Sequence, residues 1–142
     1  MPDEKMYSVY QRLFALTEEQ LDELKHSPEK EHHRRMLRGF WANPRAKIVA
    51  TVVKAENCAA GHRPGDRYVI RADGIVNKEE SPPNLCLGAL TPLNGFLHVA
   101  YERVAEQMED LSPKALTHTS CTDCGFGDGG FGRIVMHVTV EK

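Results

Sequence analysis

The chain lacks most of the features that assign a function outright. None of its apolar runs approaches the roughly 20 residues that a membrane helix needs. The opening "MPDEKMYSVYQRLF" has no basic segment followed by an apolar run and a small-residue cleavage site. Both absences predict a cytoplasmic protein that makes no use of a membrane. No G-x-S-x-G, H-E-x-x-H or Ser-His-Asp order is present, so the familiar hydrolase signatures are missing. A net charge of -2 and a pI near 6.4 give no general argument for nucleic acid. Internal repeats are absent, and low complexity is confined to one glycine-rich loop. Cysteine is scarce: there are four residues in 142, and because cytosolic thiols are kept reduced they read as metal ligands or reactive thiols, not as a disulfide frame.

What is present suits one soluble α+β protein, with 41% hydrophobic residues and a core large enough to need no staples. Residues 1–45 read as a helical arm. Thr17 and Gln20 fit a capping box, with Leu16 and Leu21 as its hydrophobic staple. Ser27 as N-cap and Pro28 at the first helical position open a second helix, which predicts a hairpin ended by "NPR" at Asn43–Arg45. Met36 with Phe40 and Leu37 with Trp41 form a stripe that needs a covering surface, either the body or a second subunit.

Residues 46–142 read as the body, a cysteine-containing α+β unit. "KIVATVVKAEN" predicts an interior strand and "RYVIRAD" its returning partner. Leu93, Phe96, Leu97, Ala100, Val104 and Met108 predict one long helix over 85–108, which Pro92 kinks or begins with Thr91 as cap. In "RIVMHVTV", Ile134, Met136, Val138 and Val140 share one face and Val135, His137 and Thr139 the other. The predicted architecture is an N-terminal helical hairpin followed by a small, mainly antiparallel sheet packed against one long helix.

Every cysteine falls at the edge of an element. Cys58 follows the first strand, Cys86 opens the long helix, and Cys121 and Cys124 precede the last strand. "CTDCG" runs into "GFGDGGFG", which cannot begin a helix, so the dipole that lowers a redox thiol's pKa is missing. A metal knuckle wants a tight turn, free N–H groups near the sulfurs and glycine at positive φ, which favours metal over disulfide exchange here. Gly61, Gly125 and Gly127 would shape the loops of such a site. Two thiolates half-satisfy a tetrahedral ion, and Cys58, His62 and Cys86 are the remaining candidates. One knuckle with scattered partners leans towards an iron–sulfur cluster, with zinc as the alternative.

"CAAGH" at 58–62, then Gly65 and Asp66, Cys86 opening a helix, "LTP" at 90–92 and a late cysteine together resemble a family of short, uncharacterised proteins of anaerobic bacteria and archaea. That family's pattern is C-x-x-G-H, G-D, a G-x-C-like helix start and one late cysteine, and the similarity spans residues 47–141. The resemblance implies a shared set of Cys58, His62, Cys86 and one of Cys121 or Cys124, and an anaerobic setting, but no reaction. The late cysteine is doubled in this chain, so two sets stay open: four cysteines with His62 beside them, or three cysteines with His62.

Other candidates have plainer readings. "HSPEKEHHRRMLR" is locally basic, but Glu29 and Glu31 interleave and no stacking aromatics join it, which favours a solvated helix face. His32 and His33 are sequence neighbours that should diverge, and His118 and His137 read as lone structural histidines. The glycine loop lacks a Lys-Ser or Lys-Thr ending and precedes a strand, against a phosphate cradle. Asp123 and Asp128 are turn formers or acid–base groups beside a metal. The leading expectation is a metal-binding electron-transfer or accessory subunit that meets a protein partner, or a copy of itself, through the N-terminal helices, with no role for nucleic acid. The alternatives are a small zinc enzyme with an open metal position, in which Cys86 or Asp123 acts, and a structural oligomeric domain with incidental thiols.

Overall fold

Thr17 and Gln20 make the capping box: the Gln20 N–H donates to Thr17 Oγ1 at 3.1 Å and the Thr17 N–H donates to Gln20 Oε1 at 3.0 Å. They open a helix at Glu18–His26, the second of three in the arm of this computed structural model, which describes residues 2–142. The three are α1 (Pro2–Leu13), α2 (Glu18–His26) and α3 (Glu31–Ala42), so the predicted pair is preceded by a further helix. Ser27 keeps extended backbone but its hydroxyl caps nothing, because a 3₁₀ turn at Pro28–Lys30 intervenes before α3. The arm has its own core of Met6, Tyr7, Tyr10, Leu21, Leu24 and Leu37.

The basic stretch of the arm is largely committed to structure. Arg34 is buried, donating from Nη1 to the carbonyls of Leu24 at 2.9 Å and Ser27 at 2.7 Å, where it satisfies the last turn of α2. Its Nη2 pairs with Glu31 at 2.9 Å, Lys30 pairs with Glu23 and Arg35 with Glu106. His32 and His33 do not diverge: their rings lie 4.1 Å apart. Burial, first of all, and the neighbouring His32 and Lys30 charges hold His33 below the usual imidazole range, with Glu23 acting against them.

The body is a four-stranded antiparallel sheet, β1 (Lys47–Glu56), β2 (Arg67–Arg71), β3 (His118–Ser120) and β4 (Arg133–Glu141), in the order β2-β1-β4-β3. A single turn, α4 (Leu87–Leu90), leads into α5 (Leu93–Ala105). Thr91 caps neither as an N-cap: it is itself helical and its hydroxyl donates back to Leu87 O at 2.8 Å, so Pro92 marks the junction between the two helices. Leu93 and Ala100 of α5 pack with Ile48, Ala50, Val52, Tyr68, Ile134 and Met136 as the main core on one sheet face. Burial of these apolar groups is the chief stabilising term, at about 25 cal/mol per Å². Residues predicted to share a face in β1 and β4 do so up to Val52, after which a bulge at Val53 shifts the register.

On the opposite face, Val49 and Val69 are buried as well. Arg67 pairs opposite Thr51 and Glu141 opposite Lys47, so the Arg67–Glu141 bridge at 3.0 and 3.1 Å runs diagonally over Val49 and roofs it. His118 and His137, read from sequence as solitary, are cross-strand partners with rings stacked at 4.7 Å. Arm and body meet where α3 crosses α5: Gly39 lies so close to Val104 that a Cβ would fall 2.4 Å from its Cγ1 and carbonyl oxygen. Among the described residues no helix is long and apolar enough to cross a membrane.

Candidate functional site

Antiparallel order places the end of β1, the start of β2, the start of β4 and the end of β3 along one edge of the sheet. Cys58, His62, Tyr68, Cys86 and Cys121 are all carried to that edge, and Cys58, Cys86 and Cys121 pack half-buried against the main core.

After β1 the chain turns on Cys58–Gly61, closed by the Gly61 N–H donating to Cys58 O at 3.0 Å. Gly61 has φ +75 and open space around it, so glycine is needed there for backbone conformation and not for room. That turn folds His62 inward until it is 4% exposed. Its Nδ1 lies 3.3 Å from Cys58 Sγ and its Nε2 lies 2.9 Å from the Tyr68 hydroxyl.

Tyr68 is the hub. It is fully buried, its oxygen accepts the Cys86 N–H at 2.9 Å, and Asn84 O lies 3.4 Å away. Burial, the largest cause, pushes its phenol above the ordinary value; Cys86, Cys58 and Asp66 push the same way, and the Cys86 N–H works against them. The phenol therefore keeps its proton at neutral pH. Of its two acceptors, His62 Nε2 is nearer than Asn84 O, which assigns the Tyr68 O–H to Nε2. In the neutral imidazole the Nδ1–H then faces Cys58 sulfur.

Cys86 is the N-cap of α4 and makes no side-chain cap bond. The α4 turn abuts the late cysteines: Thr122 N–H donates to Gly88 O at 3.1 Å, and a Cβ on Gly88 would stand 2.6 Å from Thr122 Oγ1 and 3.7 Å from Cys86 Sγ. Cys121 Sγ accepts the Ile134 N–H from β4 at 3.3 Å. Cys124 differs: it is exposed, and its thiol donates to Asp128 O at 2.9 Å.

Three N–H groups of the glycine loop go to Asp123, while those of Asp128 and Gly130 go to the Gly125 carbonyl. The Asp123 carboxylate accepts from Gly125 at 2.9 Å, Phe131 at 3.0 Å and Gly132 at 3.0 Å. These bonds, led by those of Gly125 and Gly132, hold the Asp123 carboxyl below the usual aspartate range. Gly130 is obligatory for close approach, since a Cβ there would lie 1.9 Å from Asp123 Oδ1. Gly125 has φ +88, whereas Gly127 sits in the 3₁₀ turn Phe126–Asp128 with nothing near it. Gly132 presses on the Asn57 carbonyl, which ties the loop to the Cys58 turn.

The donor types at this edge suit a thiolate-loving ion such as zinc or iron. Cys58 and His62 touch, but among the described residues no group of three His, Cys, Asp or Glu side chains is arranged to hold a metal ion. Sequence reasoning missed Tyr68. The signal was there: alternation in "RYVIR" puts Tyr68 on the same inward face as Ile70, and a buried tyrosine hydroxyl needs a partner. No family model, no curated protein and no solved structure matches the chain.

Proposed function

We propose that the chain is a metal-binding protein serving as an electron-transfer or accessory subunit, with Cys58, His62, Cys86 and Cys121 as the donor set and Cys124 outside it. One observation carries this reading: three cysteines and a histidine from three separate segments, the Cys58–His62 turn, the start of α4 and the end of β3, are collected at one sheet edge, with His62 buried and held by Tyr68. A metal on Nδ1 requires the ring proton on Nε2, where it donates to the Tyr68 oxygen while the phenol proton turns to Asn84 O, and a far nitrogen held in this way is the usual support for a ligating imidazole. Thiolate ligands favour zinc or an iron–sulfur cluster, and iron would supply one-electron chemistry. Tyr68 sets the His62 ring, the α4 turn sets Cys86, and the Ile134 N–H sets Cys121.

The test is anaerobic purification of the full chain with visible absorption and measurement of iron, sulfide and zinc, expecting about one site per chain. Cys58→Ser, Cys86→Ser and Cys121→Ser should each lose the metal, and Cys124→Ser should keep it. Equal loss in Cys124→Ser sinks the donor set, and four freely titrating thiols in a folded protein sink metal binding itself.

A second reading, thiol chemistry at Cys58, is favoured by the isolated Cys58–His62 pair at 3.3 Å. It predicts a metal-free protein in which iodoacetamide labels Cys58 first, and in which His62→Leu slows that labelling.

A further inference from the structure

The opposite end of β1 carries a second feature that the thiol site does not use. Where α1, α3, the lead into β1 and the exit from β2 meet, they enclose a groove of about 540 Å³. Its walls include Tyr10, Phe14, Phe40, Trp41 and Tyr101, half of the chain's aromatic residues. Phe14 stacks on Tyr10 at 6.0 Å, Trp41 meets Tyr10 edge-on at 6.4 Å, and Phe40 meets Tyr101 edge-on at 5.4 Å. Phe14 and Leu13 are each 56% exposed, so the groove presents apolar surface to solvent instead of hiding it.

Its charge is one-sided. Arg45, Lys47 and Arg71 line it against the single carboxylate of Asp73, in a chain whose net charge is -2. Arg71 is paired with Asp73 at 2.6 Å and Lys47 with Glu80 at 2.9 Å, whereas Arg45 has no ion-pair partner among the described residues. An aromatic trough of this volume with a few polar groups at one side has the build of a small-molecule site, for which roughly 300–1,000 Å³ is usual. A free guanidinium at its rim selects for an anion, and a carboxylate matches its paired N–H donors.

We propose that this groove binds a small carboxylic acid with an extended apolar or aromatic body, the body lying against Trp41 and Phe14 and the carboxylate meeting Arg45. The groove shares no lining residue with the cysteine site, whose hub Tyr68 pairs with Ala50, three residues along β1 from Lys47.

Trp41 is the only tryptophan in the chain, so its emission reports the groove directly. The experiment titrates the full-length protein with decanoate and, separately, with decanol, both below micelle formation, while following Trp41 fluorescence. Saturable binding of decanoate, about tenfold tighter than decanol, is the expected result. Arg45→Gln should remove that difference by weakening decanoate alone, and Phe14→Ser should weaken both. Far-ultraviolet circular dichroism confirms that each variant is folded, and Phe14→Ser, which leaves every charge in place, serves as a second check should Arg45→Gln unfold. No saturable response overturns the proposal. So does equal affinity for decanoate and decanol, or a decanoate affinity untouched by Arg45→Gln. A Trp41 signal that changes with protein concentration alone would mean that a second copy fills the groove, and would overturn it as well.

Discussion

Tyr68→Phe removes one oxygen atom from the centre of the site and keeps the ring that fills the core. In the native protein that oxygen serves His62 Nε2 at 2.9 Å and the Cys86 N–H at 2.9 Å, inside a side chain with no exposed surface. The phenylalanine leaves an acceptor and a donor without partners in a place where water has little room. Each such buried orphan costs about 1–3 kcal/mol. The lost apolar contact is nil, because the ring stays, so the variant should be destabilised by about 2–6 kcal/mol in total. For a chain of this length 1 kcal/mol moves Tm by about 2–4 °C, and a fall of about 4–24 °C is expected. Urea unfolding at pH 7 reads the free energy directly, with an unchanged m-value confirming that the native state has not loosened. A double-mutant cycle with His62→Leu isolates the Tyr68–His62 bond, for which a coupling of about 1 kcal/mol or more is expected. If Tyr68→Phe lies within about 0.5 kcal/mol of the native protein, the hub reasoning is refuted. In the metal-binding reading the same variant should also hold its metal about 10–100-fold more weakly, because the imidazole loses its orienting partner.

Three further expectations concern the frame around the site. Gly39→Ala adds a helix-favouring residue to α3, a gain of about 1 kcal/mol in open surroundings, but its Cβ would meet the Val104 side chain and carbonyl at 2.4 Å. Overpacking at about 1–3 kcal/mol should win and lower Tm, whereas Gly95→Ala in α5, where nothing lies within 4 Å, should raise it; calorimetry showing the same sign for both would discard the close-approach argument. α5 ends with Gln107 at φ +54, its N–H donating to Val104 O and the Met108 N–H to Arg103 O, so Gln107→Gly should stabilise the protein by about 1 kcal/mol in urea melts. Asp123 and Asp110 both have folded pKa values below the unfolded 3.8, the first through loop N–H groups and the second chiefly through Lys114. Between 3.8 and those lower values the unfolded chain binds more protons, so their contribution is fully present above pH 4 and is lost as pH falls through the folded values. Asp123→Asn should flatten that part of the acid-unfolding profile, and an unaltered slope would remove Asp123 from the account.

The parts of the fold that were legible are those fixed by neighbours in sequence. The capping box at Thr17 and Gln20 formed because both partners lie within one turn, and the alternation of β4 became its burial pattern because a strand facing one helix has a period of two. Helix ends were harder. α1 stops with Ala15 at φ 50, the Leu16 N–H donating to Gln11 O, and α5 stops at Gln107; neither position holds the glycine that normally marks such an end. Met108, counted from its spacing as part of the helix, lies past that stop and is 44% exposed. β3 has three residues, too few for any period to show. The bulge at Val53 falls between Val52 and Lys54, where no glycine or proline marks it, so composition held no sign of it.

At the site, the placement of cysteines at element edges was legible, and the antiparallel order then forces those edges together. What could not be read was where the loop N–H groups would point. Glycine beside C-x-x-C suits a metal knuckle, in which those N–H groups face sulfur. A carboxylate is the stronger acceptor, and Asp123 lies between the two cysteines, where the returning chain at Phe131 and Gly132 can reach it. The loop is thus shaped by an internal anion, and Gly130 is small because that anion needs the space. It follows that Cys121 takes its direction from β4 through the Ile134 N–H, while Cys124 takes its from the 3₁₀ turn through Asp128. The two halves of the C-x-x-C pair are therefore held by different parts of the structure. Adjacent sulfurs with separate supports need not share a ligand, which is the physical reason to divide them in the proposed donor set.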